Sequence, residues 1–291
     1  MKIAVIGSGV MGTGIAYTAS LAGNAVMLQD CDSHALEKAH QQIKVLGEKG
    51  ITRGKIRESE WETAFKGLTK TTDLNRAVEQ ADLIIEAVTE DLKIKLDLFK
   101  SLDEFAPSQS VLASNTSSMS ITEIAATTSR QERVIGMHFF NPVHSMKLVE
   151  IVKGLETSQE TVDRATAVAK SWGKEPVIVN DSPGFGTSRL IVLMGNEAFY
   201  ALMEGVASAE DIDKGMRLGY NHPMGPFELV DLVGLDTRLN ILNYLHATLG
   251  ERFRPCPLLV KYVKAGRLGK KVGRGVYEYG PQGERLIKEV K

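Results

Sequence analysis

The sequence predicts an α/β fold: a Rossmann-like doubly wound sheet followed by a C-terminal all-α domain. Three observations predict it. A β-branched run at residues 3–6 leads into Gly7-Ser-Gly9-Val-Met-Gly12-Thr-Gly14 and then into a helical stretch through Leu21, which reads as strand, tight turn, helix. Short apolar runs then alternate with amphipathic stretches, as a parallel doubly wound sheet requires. Beyond Asp181-Ser-Pro183-Gly184 strand-like runs largely stop and helical spacing takes over.

Taken in order, Gly23-Asn24 ends the first helix, and Ala25–Gln29 is a second buried strand ending at Asp30, which closes a βαβ unit. From residue 33 to about residue 70 charge density rises and apolar residues recur at helical spacing. This predicts a hairpin of two helices, with Gly47, Gly50 and Gly54 marking the turn. Residues 81–88 (ADLIIEAV) form a continuous apolar strand, Leu92–Phe105 an amphipathic helix, and 110–114 and Val134–Phe139 two further strands. Strands at 147–152 and 176–179 flank a helix at Gln159–Ser171. Helices are then expected at 188–204, 209–218, 227–249 and 258–265, with the boundary near residue 185 giving domains 1–185 and 186–291.

A chain of 291 residues fits about two domains. With 43% hydrophobic and 24% charged residues it is neither disordered nor fibrous. The 35 basic and 36 acidic residues are interspersed, so no nucleic-acid or membrane partner is expected, and an anionic ligand must be met by a local patch. Two cysteines, Cys31 and Cys256, provide no disulfide framework, which favours a reducing, cytoplasmic setting. No apolar stretch approaches the ~18 residues of a membrane span. Glycines also interrupt the N-terminal run where a secretory leader would be continuously apolar.

The glycine loop carries the clearest chemistry. Gly7 permits the tight turn, Gly9 lets backbone approach a pyrophosphate and Gly12 permits close helix packing; Val10 and Met11 open the helix whose N-terminus receives the anion. Asp30, 18 residues past Gly12, ends the second strand. A carboxylate there binds the ribose hydroxyls and repels a 2′-phosphate, so the expected cofactor is NAD. No metal is expected.

His138 ends a strand in Met-His-Phe-Phe-Asn-Pro, and Glu150 lies twelve residues on in the next strand, across a turn that brings the chain back. A carboxylate on one imidazole nitrogen fixes the tautomer, leaving the other to take a proton from an alcohol. A satisfied core histidine and a strand-edge acid are the alternative reading. Asn115-Thr-Ser117-Ser118 follows a strand at the edge where ligands of such sheets bind, so a contact to a substrate hydroxyl competes with plain turn chemistry.

The ordered segments GSGVMGTGIA, EAVTEDLKIK, ASNTSS, HFFNPVHSMKLVEIV, DSPGF, NEA, HPMGPFELVDLVGLD and GRLGKKVGRGVYEY resemble the 3-hydroxyacyl-CoA dehydrogenase family, in particular its short bacterial 3-hydroxybutyryl-CoA members, from residue 1 to about residue 280. The resemblance implies an NAD domain, a helical domain that carries substrate contacts and dimerises, and reversible oxidation of an (S)-3-hydroxyacyl-CoA. It implies His138 as base, Glu150 as its orienting acid, and Ser117 as the contact to the substrate oxygen and the nicotinamide side. Asn141, Glu90, Lys95 and Lys271 match family positions near the cofactor. Lys49, Arg53, Lys55 and Arg57 are candidates for the CoA phosphates by charge, with solvated surface as the alternative. One departure stands out: where the family reads PGF-x-x-Asn-Arg-Leu, this chain has Ser188, a shorter hydroxyl in place of the amide that assists the substrate carbonyl. Two rival readings remain open, a dehydrogenase of a 3-hydroxy acid without CoA and an NAD-binding relative without turnover.

Overall fold

The computed structural model describes residues 1–286, and the end of the expected helical domain, 287–291, lies outside them. The chain divides into two compact units after Ser182, just before the expected position.

The first unit runs β1 (Lys2–Ile6), α1 (Val10–Leu21), β2 (Ala25–Gln29), α2 (Ser33–Thr52), α3 (Glu58–Lys66), β3 (Leu68–Thr71), α4 (Leu74–Val78), β4 (Leu83–Glu86), α5 (Leu92–Phe105), β5 (Val111–Ser114), α6 (Ile121–Ala125), β6 (Val134–Phe139), β7 (Leu148–Lys153), α7 (Gln159–Ser171) and β8 (Glu175–Asn180). Its strands form one sheet in the order β3-β2-β1-β4-β5-β6-β7-β8. Strand order reverses between β1 and β4, which opens the crevice used for ligands in such sheets. The central strands β1, β4, β5 and β6 are buried along almost their whole length, as strands covered on both faces must be. Helix α5 docks Phe99 and Leu102, both fully buried, which removes enough apolar surface to contribute about 1.5–3 kcal/mol each.

In this unit three expectations need correction. The sheet is not wholly parallel, because β7 runs antiparallel to β6. The helical excursion closes earlier than expected, and residues 68–71 form an edge strand beside β2. Gly47 and Gly50 lie inside α2 rather than in its turn. A Cβ on Gly47 would stand 2.1 Å from Trp61 and one on Gly50 2.3 Å from Ile56, so these glycines make room for α3 and the turn before it. The chain reverses at Gly54, whose φ is +65°.

The second unit comprises α8 (Thr187–Met203), α9 (Ala209–Gly219), α10 (Pro226–Val233), α11 (Leu235–Leu249), α12 (Pro257–Lys264) and a small antiparallel pair, β9 (Glu278–Tyr279) with β10 (Arg285–Leu286). The single helix expected at 227–249 is broken at Gly234, where φ is +106°. Phe199 packs edge-on to Phe227 and Tyr262 at its centre. Two buried carboxylates hold the polar framework. Asp213 accepts from the N–H groups of Phe227 and Glu228, and Asp231 from those of Val276 and Tyr277. The first pair satisfies donors that the start of α10 would otherwise leave orphaned.

Candidate active site

The glycine loop lies between β1 and α1, at the reversal of strand order. Gly7 has φ +101°, and a Cβ there would come 2.6 Å from the Ala87 carbonyl oxygen. A Cβ on Gly12 would stand 1.8 Å from the Gly7 carbonyl oxygen, so only glycine lets the helix start this close to the loop. Gly9 is the opposite case: a Cβ there would meet no atom within 4 Å. Two glycines thus close the loop while the third keeps open space in front of it, followed by the N-terminus of α1 at Val10 and Met11. This arrangement fits a dinucleotide pyrophosphate.

Asp30 stands at the end of β2 with one carboxylate oxygen accepting from Ser8 N–H and Ser8 Oγ–H, both at 2.7 Å. The other accepts from Asp32 N–H at 3.0 Å. Burial pushes its pKa up, but the Asp32 and Ser8 donors outweigh that and hold it below the ordinary carboxylate range. It is therefore a fixed negative charge beside the glycine loop. The Ser8 hydroxyl can rotate away, so a ribose diol can exchange with it. Asp30→Arg is expected to lower the NADH-over-NADPH preference in kcat/KM by at least about tenfold, about 1.4 kcal/mol. Wild-type protein that used NADPH better than NADH would contradict this assignment.

At the same edge of the sheet, the antiparallel register pairs His138 directly with Glu150. Their side chains share a face, and His138 Nδ1 lies 2.7 Å from Glu150 Oε2. Both residues are buried, at 6% and 1% exposure. With Glu150 ionised, Nδ1 donates, and an imidazole in that tautomer presents Nε2 as its proton acceptor. The Phe140 ring leans over the imidazole with centroids 4.5 Å apart.

The segment after β5 is tied to this edge from both sides. Asn115 Oδ1 accepts the Phe139 N–H at 2.9 Å, next to His138. Ser117 is half-buried and donates its N–H and hydroxyl to Glu90 Oε1 at 2.9 and 3.2 Å. Burial raises the Glu90 pKa, but the Lys95 ammonium with the Thr116 and Ser117 donors outweighs it and leaves the carboxyl below its usual value. Lys95, expected near the cofactor, is 1% exposed; its ammonium lies between Glu86 and Glu90. Glu86 was not singled out in the sequence, although a carboxylate within an otherwise apolar strand was the available signal.

Asn141 is exposed and joined to Pro142 by a cis peptide bond. The loop it opens is held from below by Lys174, whose ammonium donates to the Val143 and Met146 carbonyl oxygens. Lys174 also lines a cleft of about 600 Å³. Lys49, Arg53 and Lys55 line it together with His144, Lys147 and Trp172. None of its lining residues is acidic. Burial, with Lys174, Lys55 and Arg53 nearby, pushes the His144 imidazole below its usual value. Arg57, grouped with these cations by charge, instead pairs with Glu60 on the surface. His144, Lys147 and Lys174 escaped the sequence reading because they lie far along the chain from Lys49, Arg53 and Lys55, which they join in the cleft.

Two candidates belong to the second unit. Ser188 is buried in the first turn of α8, and Lys271 binds both oxygens of Asp236 at 2.7 Å.

Residues 2–182 match the NAD binding domain of 3-hydroxyacyl-CoA dehydrogenase, and residues 184–279 match its C-terminal domain. The chain belongs to the 3-hydroxyacyl-CoA dehydrogenase family. It is 50% identical over 279 residues to the probable 3-hydroxybutyryl-CoA dehydrogenase of Bacillus subtilis (strain 168), covering 96% of this chain and 97% of the relative. Identity to the 3-hydroxybutyryl-CoA dehydrogenase of Clostridioides difficile is 46%, over 96% and 99% of the two chains. The crystal structure of (S)-3-hydroxybutyryl-CoA dehydrogenase from Ralstonia eutropha superposes with a TM-score of 0.92 at 41% identity, covering 96% of this chain and 99% of that one. The protein is thus an NAD-dependent dehydrogenase of 3-hydroxyacyl-CoA, with a Rossmann-like cofactor domain and a helical C-terminal domain. Among the described residues no helix is long and apolar enough to cross a membrane.

Proposed function

We propose that His138 is the general base of this reaction and that Glu150 orients it, acting on a short-chain (S)-3-hydroxyacyl-CoA. The observation that carries the reading is the buried contact of 2.7 Å between them. His138 Nε2 takes the proton of the 3-hydroxyl as the C3–H bond breaks, leaving a ketone. When bound, NAD supplies the hydride acceptor. Glu150 stabilises the imidazolium that forms, since a carboxylate within about 4 Å favours the charged form. Ser117 and Ser188 hold the substrate oxygens in this reading, with Asn141, Glu90, Lys95 and Lys271 keeping the cofactor side in place. A general base is typically worth about 10²–10⁴-fold.

The cationic cleft takes the phosphates of CoA, with Lys49 and Arg53 as the contacts. Its support is charge: five Lys or Arg side chains line it without a carboxylate to neutralise them. Exposed Leu190, Val206, Leu218 and Tyr220 give the helical unit apolar surface for self-association, and the reading includes a homodimer. Cys31 and Cys256 are unpaired, which agrees with a cytoplasmic protein.

The test is an initial-rate assay of acetoacetyl-CoA and NADH set against free acetoacetate, on protein whose mass is read by sedimentation. Activity should require the CoA moiety, and Lys49→Ala with Arg53→Ala should raise KM for acetoacetyl-CoA at least about tenfold, since two charge-assisted contacts are worth roughly 1.5–3 kcal/mol each. Equal rates on free acetoacetate would favour a dehydrogenase of another 3-hydroxy compound, and a monomer mass at micromolar concentration would remove the dimer.

A further inference from the structure

Among the described residues of the first unit, the mechanism leaves one buried carboxylate unused. Glu86 ends β4 with no solvent exposure. A carboxylate in such a place is costly unless it is paired and hydrogen-bonded, and Glu86 is both. Its Oε1 accepts from the Val88 N–H at 2.8 Å and from the Lys95 ammonium at 2.5 Å, while Oε2 accepts the Ser114 hydroxyl at 2.5 Å. Two arms leave these oxygens and meet again. On one, Ser114 Oγ accepts the Thr116 N–H at 3.2 Å. On the other, Lys95 Nζ reaches Glu90 Oε2 at 3.2 Å, and Glu90 Oε1 accepts the Thr116 hydroxyl at 2.6 Å. Glu86, Ser114, Thr116, Glu90 and Lys95 close a ring across the carboxyl ends of β4 and β5, and Ser117 hangs from its Glu90 corner.

We propose that Glu86 is a positioning residue for the reaction, fixing through this ring where the Ser117 hydroxyl stands and where its proton points. The inference rests on the reading of Ser117 as a contact to substrate or nicotinamide. Its logic is a competition between two carboxylates for one ammonium. Glu86 holds Lys95 at 2.5 Å and leaves Glu90 at 3.2 Å, so the other Glu90 oxygen stays on Thr116 and Ser117. The Glu90 side chain is 40% exposed and has room to move, whereas Glu86 and Lys95 have none. With the Glu86 charge removed, Glu90 becomes the nearest anion to Lys95. The carboxylate then turns towards the ammonium and away from Ser117. The Ser117 hydroxyl also donates to Glu90 Oε1 at 3.2 Å, so the position of Glu90 sets where that proton points.

Misplacing a contact by about an ångström at a reacting centre costs up to about a hundredfold. Glu86→Gln, which keeps the shape and removes the charge, should therefore lower kcat by about ten- to a hundredfold. Melting curves ensure that each variant is assayed while folded. The discriminating measurement is a double-mutant cycle: Ser117→Ala should lose most of its own effect in the Glu86→Gln background, because the two act as one unit. Ser114→Ala cuts only the short arm and leaves the ion pair; it should show a smaller fall in kcat, coupled to Ser117→Ala in the same way, and it carries the test if Glu86→Gln does not fold. A Glu86 or Ser114 variant that melts earlier but keeps kcat, or effects that simply add to that of Ser117→Ala, would overturn the proposal and leave the Ser117 reading intact. Ser117→Ala without effect would overturn both.

Discussion

His138→Gln is expected to lower kcat by about 10²–10⁴-fold while NADH still binds within a few-fold of wild type. The glutamine amide has similar reach and can still donate to Glu150, so the buried carboxylate keeps a partner and the fold is spared the cost of an unpaired charge. What disappears is the proton acceptor, because an amide is not a base at neutral pH. The loss should therefore appear in kcat and kcat/KM together, as it does when an interaction made only in the transition state is removed. Steady-state rates with acetoacetyl-CoA and NADH, alongside a fluorescence titration with NADH, separate the two effects. More than about a tenth of wild-type kcat remaining would remove His138 from the role of base.

Gly12→Ala should lose NADH binding by at least about a hundredfold, roughly 2.7 kcal/mol. The new methyl would stand 1.8 Å from the Gly7 carbonyl oxygen, and that oxygen belongs to backbone, so the loop itself must move. Two displaced N–H contacts to a phosphate, at about 1.5–3 kcal/mol each, are enough for the effect. Overpacking of this kind also costs about 1–3 kcal/mol of stability, or roughly 2–12 °C in Tm. Gly9→Ala is the control. Its methyl meets no protein atom within 4 Å, so Tm should hold and any lost affinity would come from the cofactor alone. Gly12→Ala protein that bound NADH within about threefold of wild type would show that the loop does not carry the cofactor.

Most of the first unit was legible because its strands are buried on both faces and write themselves as apolar runs, and because β1, the glycine loop and Asp30 follow one another closely. The misreadings share a cause. Gly47 and Gly50 look like turn residues, yet their role is set by Trp61 and Ile56, more than five residues further on, and spacing within one helix does not carry that information. The edge strand β3 is four residues long with its middle pair exposed, so neither an apolar run nor a clean alternation announces it. Gly234 interrupts a pattern that is apolar on both sides, so periodicity ran across it. In the site, Asp30, His138 and Glu150 were legible by position. The ring through Glu86 and the joining of His144, Lys147 and Lys174 to Lys49, Arg53 and Lys55 in one cleft were not, since both are assembled from segments distant in sequence.

The antiparallel turn of β7 against β6 separates the proposed base from the proposed phosphate cleft. Because His138 and Glu150 meet through the ladder, their pairing depends on backbone register, in which a slip of one residue would send either side chain to the opposite face. The loop that joins the two strands is under no such constraint. It carries His144 and Lys147 into the cleft and is propped by Lys174 from outside the hairpin. In the proposed reading, sequence drift in that loop can thus change the grip on the phosphates while His138 and Glu150 stay locked opposite each other.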